Sequence, residues 1–353
     1  MTIARLAREE IQALKPYEAA VQVDDTIRLN ANEAPWTSSG DHFRRPLNRY
    51  PEIRPAQLRA ALAGRYGCDA GNLLVTRGTS EAIDLLIRVF CRAGRDSIVT
   101  TRPTFSMYRH YANVQGALLR EVATSRENDF AVAAGEILDA CDDTTRLIFL
   151  CSPNNPTGTT LPRTTLQEVL EERRNQSAVV VDEAYIEFAD EPSVVELLDR
   201  NDNLIVLRTL SKALAFAGAR CGSVIGPREV IDMLDAVQAP YALATPVVEC
   251  VENALQAESL SEADSWVTQV ISERERLIAA LAESTFVKHI WPSSANFFLM
   301  QVKDAELLMQ RSSTDKVLLR YFGGVLSDCV RITVGTPNEN DRLLETIARV
   351  AEV

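Results

Sequence analysis

Two short segments of the chain carry residue types that suit cofactor chemistry. Asp182 follows the β-branched run Val179–Val181, and Lys212 follows the apolar run Leu204–Leu207. The stretch between them has room for one helix and a return strand, so both side chains are expected at the same rim of a parallel sheet. A desolvated lysine can lose its proton and form Schiff bases, while an aspartate can keep a pyridinium nitrogen protonated. The pair predicts a site for pyridoxal phosphate (PLP).

The cofactor phosphate would need a separate binding site, or cup, at the same rim of the sheet. Gly78 in R-G-T-S-E permits a tight turn after a candidate strand, and Thr79 and Ser80 are residue types that cap a helix N-terminus. Such a segment also serves as an ordinary helix cap in many proteins. Ser211 and Arg220 add a hydroxyl and a guanidinium on the lysine side, and with them the segment predicts a site for the cofactor phosphate.

Three further residues at strand ends could contact a flat cofactor ring. Phe105 in R-P-T-F-S-M-Y could stack on the ring, although an aromatic residue there also suits the core. Asn155 lies in S-P-N-N-P-T-G, which is more specific than a generic turn, and its amide could bind the phenolic oxygen of the ring. Tyr185 could reach the same oxygen or could serve as an interface tyrosine.

Two arginines near the C-terminus are candidates for holding an anionic substrate. Arg331 in V-R-I-T-V-G is expected to open a strand and to clamp a carboxylate with two hydrogen bonds. Arg320 is expected on a neighbouring strand, and each arginine alone would suit a surface charge. The three histidines are scattered and match no metal or triad spacing, so no metal site is expected.

The elements that must position these residues alternate along the chain. Helical periodicity recurs between the candidate strands, which are Leu73–Thr76, Ser97–Thr101, Ala117–Val122, Arg146–Cys151, Ala178–Val181, Leu204–Leu207 and Cys221–Ile225. This alternation predicts an α/β fold with a mostly parallel seven-stranded sheet covered by helices. A smaller α+β domain is predicted from helices over 246–255, 262–283 and 339–350 and strands over 296–302, 316–321 and 330–334.

The pattern of predicted helices and strands changes along the chain and divides it into three expected units. An N-terminal arm over residues 1–45 is expected to contribute to the small domain, a large cofactor-binding domain covers 46–243, and a small C-terminal domain covers 244–353. A chain of 353 residues is long enough to bury a large core with a second lobe beside it.

Composition limits the classes of partner. The net charge is −12 without a clustered basic face, which argues against a nucleic-acid surface. The chain contains neither G-x-G-x-x-G nor a Walker loop, which argues against dinucleotides and nucleoside triphosphates. Seven cysteines without C-x-x-C, a charged N-terminus and the lack of a long apolar window favour a cytoplasmic protein that does not span a membrane.

The motifs of the chain resemble those of the fold-type I PLP-dependent aminotransferases. S-P-N-N-P-T-G and S-K are shared across aminotransferases, whereas N-R-Y-P, D-E-A-Y-I-E-F and R-T-L-S-K-A are similar to those of the histidinol-phosphate aminotransferases. The likeness extends nearly end to end, from L-K-P-Y and L-N-A-N-E to V-R-I-T-V-G-T. The mild departures are Phe105 where tyrosine is also common, the R-G-T-S segment at the cup, and a short loop over 34–48.

The resemblance implies roles for individual residues. Lys212 would carry PLP as a Schiff base, Asp182 would contact the ring nitrogen, and Tyr185 would join Asn155 at the ring oxygen while Phe105 stacks on the ring. The cup for the phosphate would consist of Thr79, Ser80, Thr209, Ser211 and Arg220. The substrate pocket would be lined by Tyr17, Asn32, Tyr241, Arg320 and Arg331. Tyr50 would reach the phosphate of a neighbouring subunit's cofactor, which implies a homodimer.

The resemblance also implies a reaction. L-Histidinol phosphate and 2-oxoglutarate would be interconverted with imidazole acetol phosphate and L-glutamate in a ping-pong transamination, a step of histidine biosynthesis. Two alternatives use the same scaffold: an aromatic amino acid aminotransferase and a decarboxylase of a phosphorylated amino acid. A non-catalytic PLP-binding regulator would need a DNA-binding module, and no basic helix-turn-helix precedes the arm.

Overall fold

The computed structural model describes residues 3–17, 22 and 26–352. The α-helices are α1 Glu9–Gln12, α2 Ala56–Tyr66, α3 Gly78–Phe90, α4 Met107–Gln115, α5 Ala134–Asp139, α6 Arg163–Glu172, α7 Arg228–Val237, α8 Thr245–Ala254, α9 Ala257–Ala282, α10 Ala305–Thr314 and α11 Pro337–Ala351. The strands are β1 Leu73–Thr76, β2 Ser97–Arg102, β3 Leu118–Ala123, β4 Thr145–Cys151, β5 Ala178–Asp182, β6 Leu204–Thr209, β7 Gly222–Ile225, β8 Val287–Ile290, β9 Phe297–Val302, β10 Arg320–Gly323 and β11 Leu326–Thr333.

The seven-stranded sheet has the order β1-β7-β6-β5-β4-β2-β3 and is mostly parallel, as the sequence predicts. The strand β7 runs antiparallel to both of its neighbours, and the other neighbouring pairs are parallel. Both faces of the sheet are buried, because Val179 and Val181 pack in one apolar cluster while Val180 packs in another on the opposite face. Burial on both faces explains why these strands are continuous apolar runs rather than alternating ones.

The smaller sheet is antiparallel, with the order β10-β11-β9-β8, and α9, α10 and α11 pack around it. Neither β8 nor α10 was predicted from the sequence. Lys288 and His289 lie exposed in the middle of β8, so this edge strand has no alternating apolar pattern to reveal it. The strand predicted over 316–321 was wrong in its limits, because β10 begins only at Arg320.

The first described residues of the chain contact helices that cover the large sheet. Ile3 and Ala7 are buried in the apolar cluster of α3 and α7, and the Arg8 backbone N–H donates to the Val89 carbonyl at 2.9 Å. Arg44 and Arg45 of the same arm form ion pairs with Glu252 of α8, within the predicted small domain, so the expected contribution of the arm to that domain stays a prediction. Residues 26–55 form neither a helix nor a strand.

Within the described part of the chain, no helix combines the length and the apolar character that crossing a membrane requires.

Candidate active site

The carboxyl ends of β1, β2, β4, β5 and β6 open into one cavity of about 640 Å³, which the β10–β11 hairpin closes from the other side. Its volume suits a small-molecule site. Predicted residues that line it are Thr79, Ser80, Phe105, Asn155, Asp182, Tyr185, Thr209, Ser211, Lys212, Arg220, Arg320 and Arg331. The rim of the sheet therefore brings together the residues that the sequence singled out for the ring, the phosphate and the substrate anion.

Asp182 ends β5 at the floor of the cavity and is only 1% exposed. One carboxylate oxygen accepts a hydrogen bond from the Tyr108 hydroxyl at 2.8 Å, and the other accepts from the Ala184 N–H at 3.2 Å. Burial raises the pKa of this carboxyl to about 6, against the lowering effect of the Tyr108 hydrogen bond. The carboxylate is buried without an ion pair among the described residues, so a cationic ring nitrogen would stabilise it.

Lys212 follows β6 and lies exposed to the open cavity. Its ammonium lies 5.5 Å from the centre of the Tyr185 ring. Although the cavity is open, the surrounding protein atoms lower the pKa of Lys212 by desolvation, and repulsion from Arg331 and Arg220 lowers it further. A lysine of this kind supplies a neutral amine more readily than a surface lysine does.

The cup for a phosphate lies at the start of α3. Gly78 has φ +76°, a conformation that strains other residues, and a Cβ at this position would lie 2.8 Å from the Arg220 guanidinium, so glycine is favoured here. The N-cap residue is Arg77, so the expectation that Thr79 and Ser80 cap the helix was wrong. Both are in the first turn, where backbone N–H groups have no intrahelical acceptor and can bind an anion.

The lysine side of this cup contributes a guanidinium and hydroxyls. Arg220 donates to the Ala217 carbonyl at 3.1 Å and to the Ser211 hydroxyl at 3.5 Å. Thr209 lies 3.0 Å from Ser211, hydroxyl oxygen to hydroxyl oxygen. Arg220 has no carboxylate partner among the described residues, so its charge is available to a phosphate.

Asn155 and Tyr185 meet in the wall of the cavity. The Asn155 side-chain amide donates to the Tyr185 hydroxyl at 3.3 Å, and its oxygen accepts a hydrogen bond from Arg331. Burial raises the pKa of Tyr185 above its ordinary value, so the hydroxyl stays protonated and can donate. From these positions the Asn155 amide and the Tyr185 hydroxyl could both donate hydrogen bonds to one oxygen of a bound cofactor ring.

The hairpin contributes two arginines in direct cross-strand register. Arg320 on β10 pairs with Arg331 on β11, which lies inside its strand rather than opening it as expected. Phe322 lies between the guanidiniums, 5.4 Å from Arg320 and 5.6 Å from Arg331, measured from ring centre to Cζ. Like charges directly opposite each other destabilise a sheet, so this pair suits a bound anion.

Burial lowers the pKa of Arg331 below its ordinary value, and Arg320 lowers it further. The buried Nε of Arg331 has no hydrogen-bond partner among the described residues. A buried unpaired donor costs free energy until an acceptor arrives. Arg331 is therefore the better placed of the two arginines for a substrate carboxylate or phosphate.

Four predicted residues do not line the cavity of this chain. Tyr50 stacks on Tyr241 with ring centres 4.7 Å apart, and Tyr17 meets Tyr241 edge-on at 6.5 Å. Asn32 belongs to the same loop region before α2, and both Asn32 and Tyr241 adopt φ +56°. Tyr17 and Tyr50 are exposed, and neither lines the cavity that contains Lys212.

Two residues that matter to the geometry were missed. Tyr108 binds Asp182 from the first turn of α4, and it belongs to the same R-P-T-F-S-M-Y motif as Phe105. Phe322 is two residues after Arg320, the spacing that places both on one face of a strand. Strand periodicity after Arg320 would have pointed to Phe322, whereas no local pattern pointed to the contact of Tyr108 with Asp182.

The described residues fit PLP. A buried carboxylate without a cationic partner, an amine with a lowered pKa and an anion cup with an unpaired guanidinium match its ring nitrogen, its aldehyde and its phosphate. Asp182 is the one carboxylate among the described residues that line the cavity. No further acidic group there would repel a dianionic phosphate.

Comparison with known proteins agrees with this geometry. The sequence profile of aminotransferase class I and II matches residues 25–347. The chain is 42% identical to a histidinol-phosphate aminotransferase of Xanthomonas campestris pv. campestris, over 99% of this chain and 98% of that protein. It is 40% identical to the one of Xylella fastidiosa, over 100% and 98% of the two chains. The solved histidinol-phosphate aminotransferase of Sinorhizobium meliloti in complex with pyridoxal-5'-phosphate superposes with a TM-score of 0.79 at 23% identity, over 87% and 83% of the chains.

Proposed function

This chain belongs to aminotransferase class I and II, and we propose that it transfers the amino group between L-histidinol phosphate and 2-oxoglutarate. The products would be imidazole acetol phosphate and L-glutamate, in a step of histidine biosynthesis. The observation that carries this choice of substrate is the near full-length similarity to histidinol-phosphate aminotransferases at 42% and 40% identity. The cavity supplies independent chemical support, because it pairs a lysine with two arginines free to bind anions.

The residues that would hold PLP are those of the large-sheet side of the cavity. Lys212 would attach it covalently, Asp182 would bind its ring nitrogen, and Phe105 would pack on the ring face. The phosphate would be held by the N-terminal turn of α3 with Arg220 and Ser211. When bound, PLP supplies an electron sink for the pair of electrons that remains when the Cα proton leaves the substrate.

Lys212 would transfer the proton in this reaction. In its neutral form, Nζ can accept the proton from the substrate Cα and return it to another carbon. The lowered pKa of Lys212 makes that neutral form more accessible than in a surface lysine, and the neighbouring Arg331 and Arg220 oppose its reprotonation. The face of the Tyr185 ring lies 5.5 Å from Nζ, measured to the ring centre, and can interact favourably with the ammonium when it is charged.

The anion side must accept two different substrates in turn. The phosphate of L-histidinol phosphate and the carboxylates of 2-oxoglutarate would bind at Arg331 and Arg320. A guanidinium presents its donors in a fork that matches either anion, which a lysine ammonium does not. The hydrogen bond from Arg331 to Asn155 couples this anion site to the site of the ring oxygen.

A homodimer would complete the site. Residues 26–50 expose large apolar side chains, including Ile27, Leu29 and Trp36 with 89%, 90% and 74% of their surface accessible. Exposed apolar groups of this density are typical of an interaction surface. Tyr50 would reach the phosphate of the neighbouring subunit's cofactor, and Tyr17, Asn32 and Tyr241 would line the substrate pocket beside it. We also propose the cytoplasm as the compartment and the limits 1–45, 46–243 and 244–353 as the units of the chain.

A half-reaction tests the substrate directly. The PLP-loaded protein is mixed with L-histidinol phosphate, and conversion to the pyridoxamine form is followed by absorbance. Conversion at least tenfold faster than with phenylalanine supports the proposal. Equal rates would instead support an aromatic amino acid aminotransferase, and release of carbon dioxide from a phosphorylated amino acid would support a decarboxylase. The Lys212→Ala variant is the control for conversion without enzyme chemistry.

A further inference from the structure

The first turn of α4 connects the face of the cofactor site to its floor. Tyr108 is fully buried, and its ring stacks on Phe149 with centres 5.0 Å apart and an interplanar angle of 16°. The edge of the same ring meets Phe105, which lines the cavity, at 5.8 Å and 86°. From this packed position the Tyr108 hydroxyl donates a hydrogen bond to Asp182 at 2.8 Å.

Few interactions other than this hydrogen bond favour the ionised form of the Asp182 carboxylate. The second oxygen of Asp182 has a single backbone donor, Ala184, and the side chain is 1% exposed. Burial disfavours the ionised carboxylate, whereas a hydroxyl that donates to it favours the ionised form. Tyr108 is the side chain whose hydrogen bond lowers the pKa of Asp182.

The other ionisable groups around Asp182 cannot replace this bond. Glu183 raises the pKa of Asp182, and Lys212 lowers it only as a charge at a distance. Cys151 and Tyr185 stay neutral, since burial raises the pKa of both. The thiol of Cys151 donates to the Pro153 carbonyl at 3.3 Å rather than to the carboxylate.

We propose that Tyr108 is a positioning residue that holds the Asp182 carboxylate ionised and in one orientation, and thereby sets the pH range over which the protein retains PLP. The proposal rests on the proposed function only through the cofactor, since it involves no substrate. Protonation of Asp182 would remove the negative charge that a cationic ring nitrogen requires. Without the Tyr108 hydroxyl, that protonation would occur at higher pH.

The test compares two variants that each lose one hydroxyl from the same helix. Tyr108→Phe removes the donor and keeps the stacked ring, while Tyr111→Phe is the control, since Tyr111 is partly buried on α4 outside the cavity. The dissociation constant of PLP is measured by equilibrium dialysis between pH 5 and pH 9. We expect the acid limb of the Tyr108→Phe profile to move upward by roughly one to two pH units, the worth of a hydrogen bond to a charged group. Tyr111→Phe should follow the unmodified protein.

A second pair of proteins separates this role from a structural one. In an Asp182→Asn background there is no carboxylate to keep ionised, so adding Tyr108→Phe should leave the pH profile of PLP binding unchanged. A Tyr108→Phe profile that superimposes on that of Tyr111→Phe overturns the proposal. The proposal is also overturned if Tyr108→Phe weakens PLP binding equally at every pH and does the same in the Asp182→Asn background. Neither result depends on which amino acid is the substrate.

Discussion

The two sides of the cavity differ in how completely their polar groups are paired. On the large-sheet side both oxygens of Asp182 have donors, and the hydroxyls of Thr209 and Ser211 contact each other. On the hairpin side, Arg320 and Arg331 lie opposite each other and form no ion pair with any described residue. One side is organised for a group that stays bound, and the other is left ready for anions that come and go.

The difference is also one of burial. Asp182 ends a strand whose five residues are all buried, whereas Arg320 is exposed on the first residue of its strand. A buried site restricts side-chain motion and holds a cofactor in one orientation. A more exposed anion site exchanges its ligand without disturbing the core. A ping-pong reaction requires both properties, because one cofactor must serve two successive substrates.

The largest effect should come from the lysine that serves both sides. Lys212→Ala removes the amine that moves the proton, so kcat should fall by at least about 10³-fold, as measured in steady-state transamination. The exposed Lys288 on β8 provides the matched control, since Lys288→Ala removes an amine outside the cavity. Turnover of Lys212→Ala within tenfold of the unmodified protein would contradict the assignment.

The anion side is tested by shortening its more buried arginine. Arg331→Ala removes a partly buried cation, so kcat/KM for both substrates should fall by roughly 10²–10³-fold, the range for truncating a desolvated charge pair. Arg331→Lys retains the charge and loses the fork, so it should recover only part of the loss. Arg311→Ala, on the exposed side of α10, is the control. An equal loss in that variant would show that the change in overall charge lowers kcat/KM, and it would contradict the role of Arg331 as an anion site.

The cofactor side is tested by the pH dependence of stability without PLP. The folded-state pKa of Asp182, about 6, lies above its ordinary value of 3.8, so between these pH values the folded protein binds a proton that the unfolded chain releases. The free energy of unfolding should therefore fall as pH rises from about 4 to about 6 and stay lower above that range.

Asp182→Asn should lose that dependence. The variant should be more stable than the unmodified apoprotein at pH 8 by about 1–3 kcal/mol, while differing little at pH 4. Urea unfolding of both proteins at the two pH values measures this. A variant less stable at pH 8 than at pH 4, by the same amount as the unmodified protein, would show that the buried carboxylate is not the titrating group.

The smallest effect is expected at the ring between the two arginines. Phe322→Leu keeps the apolar contact and removes the aromatic face, worth about 0.5–1 kcal/mol to a nearby cation. The KM for both substrates should rise two- to fivefold with kcat little changed. Val325→Ala, an exposed change on the same hairpin, should leave both constants alone. A fall in kcat without a rise in KM would place Phe322 on the cofactor side instead.

Much of this architecture could be predicted because the large sheet is buried on both faces. Its strands are apolar runs that end in turn or site residues, so β5 and β6 pointed directly to Asp182 and Lys212. The hydrogen bond from Tyr108 could not be predicted, because it depends on how α4 packs across β4 and β5. The pairing of Arg320 with Arg331 likewise depends on hairpin register, which neither arginine's sequence neighbours define.

The small domain was harder to predict for a related reason. The strand β8 lies at a sheet edge with both central side chains exposed, and so it lacks the pattern that identifies a buried strand.

The placement of Ile3 and Ala7 against α3 and α7 involves contacts between distant parts of the chain. Such contacts leave no local periodicity in the sequence.

The most direct measurement of the central claim is chemical trapping of the cofactor. The PLP-loaded protein is reduced with borohydride, digested, and mapped by mass spectrometry. We predict that the reduced pyridoxyl group is found on the peptide that contains Lys212 and that Lys212→Ala abolishes the label. A label on a different lysine, or none on the unmodified protein, would contradict the assignment of this cavity as the catalytic site.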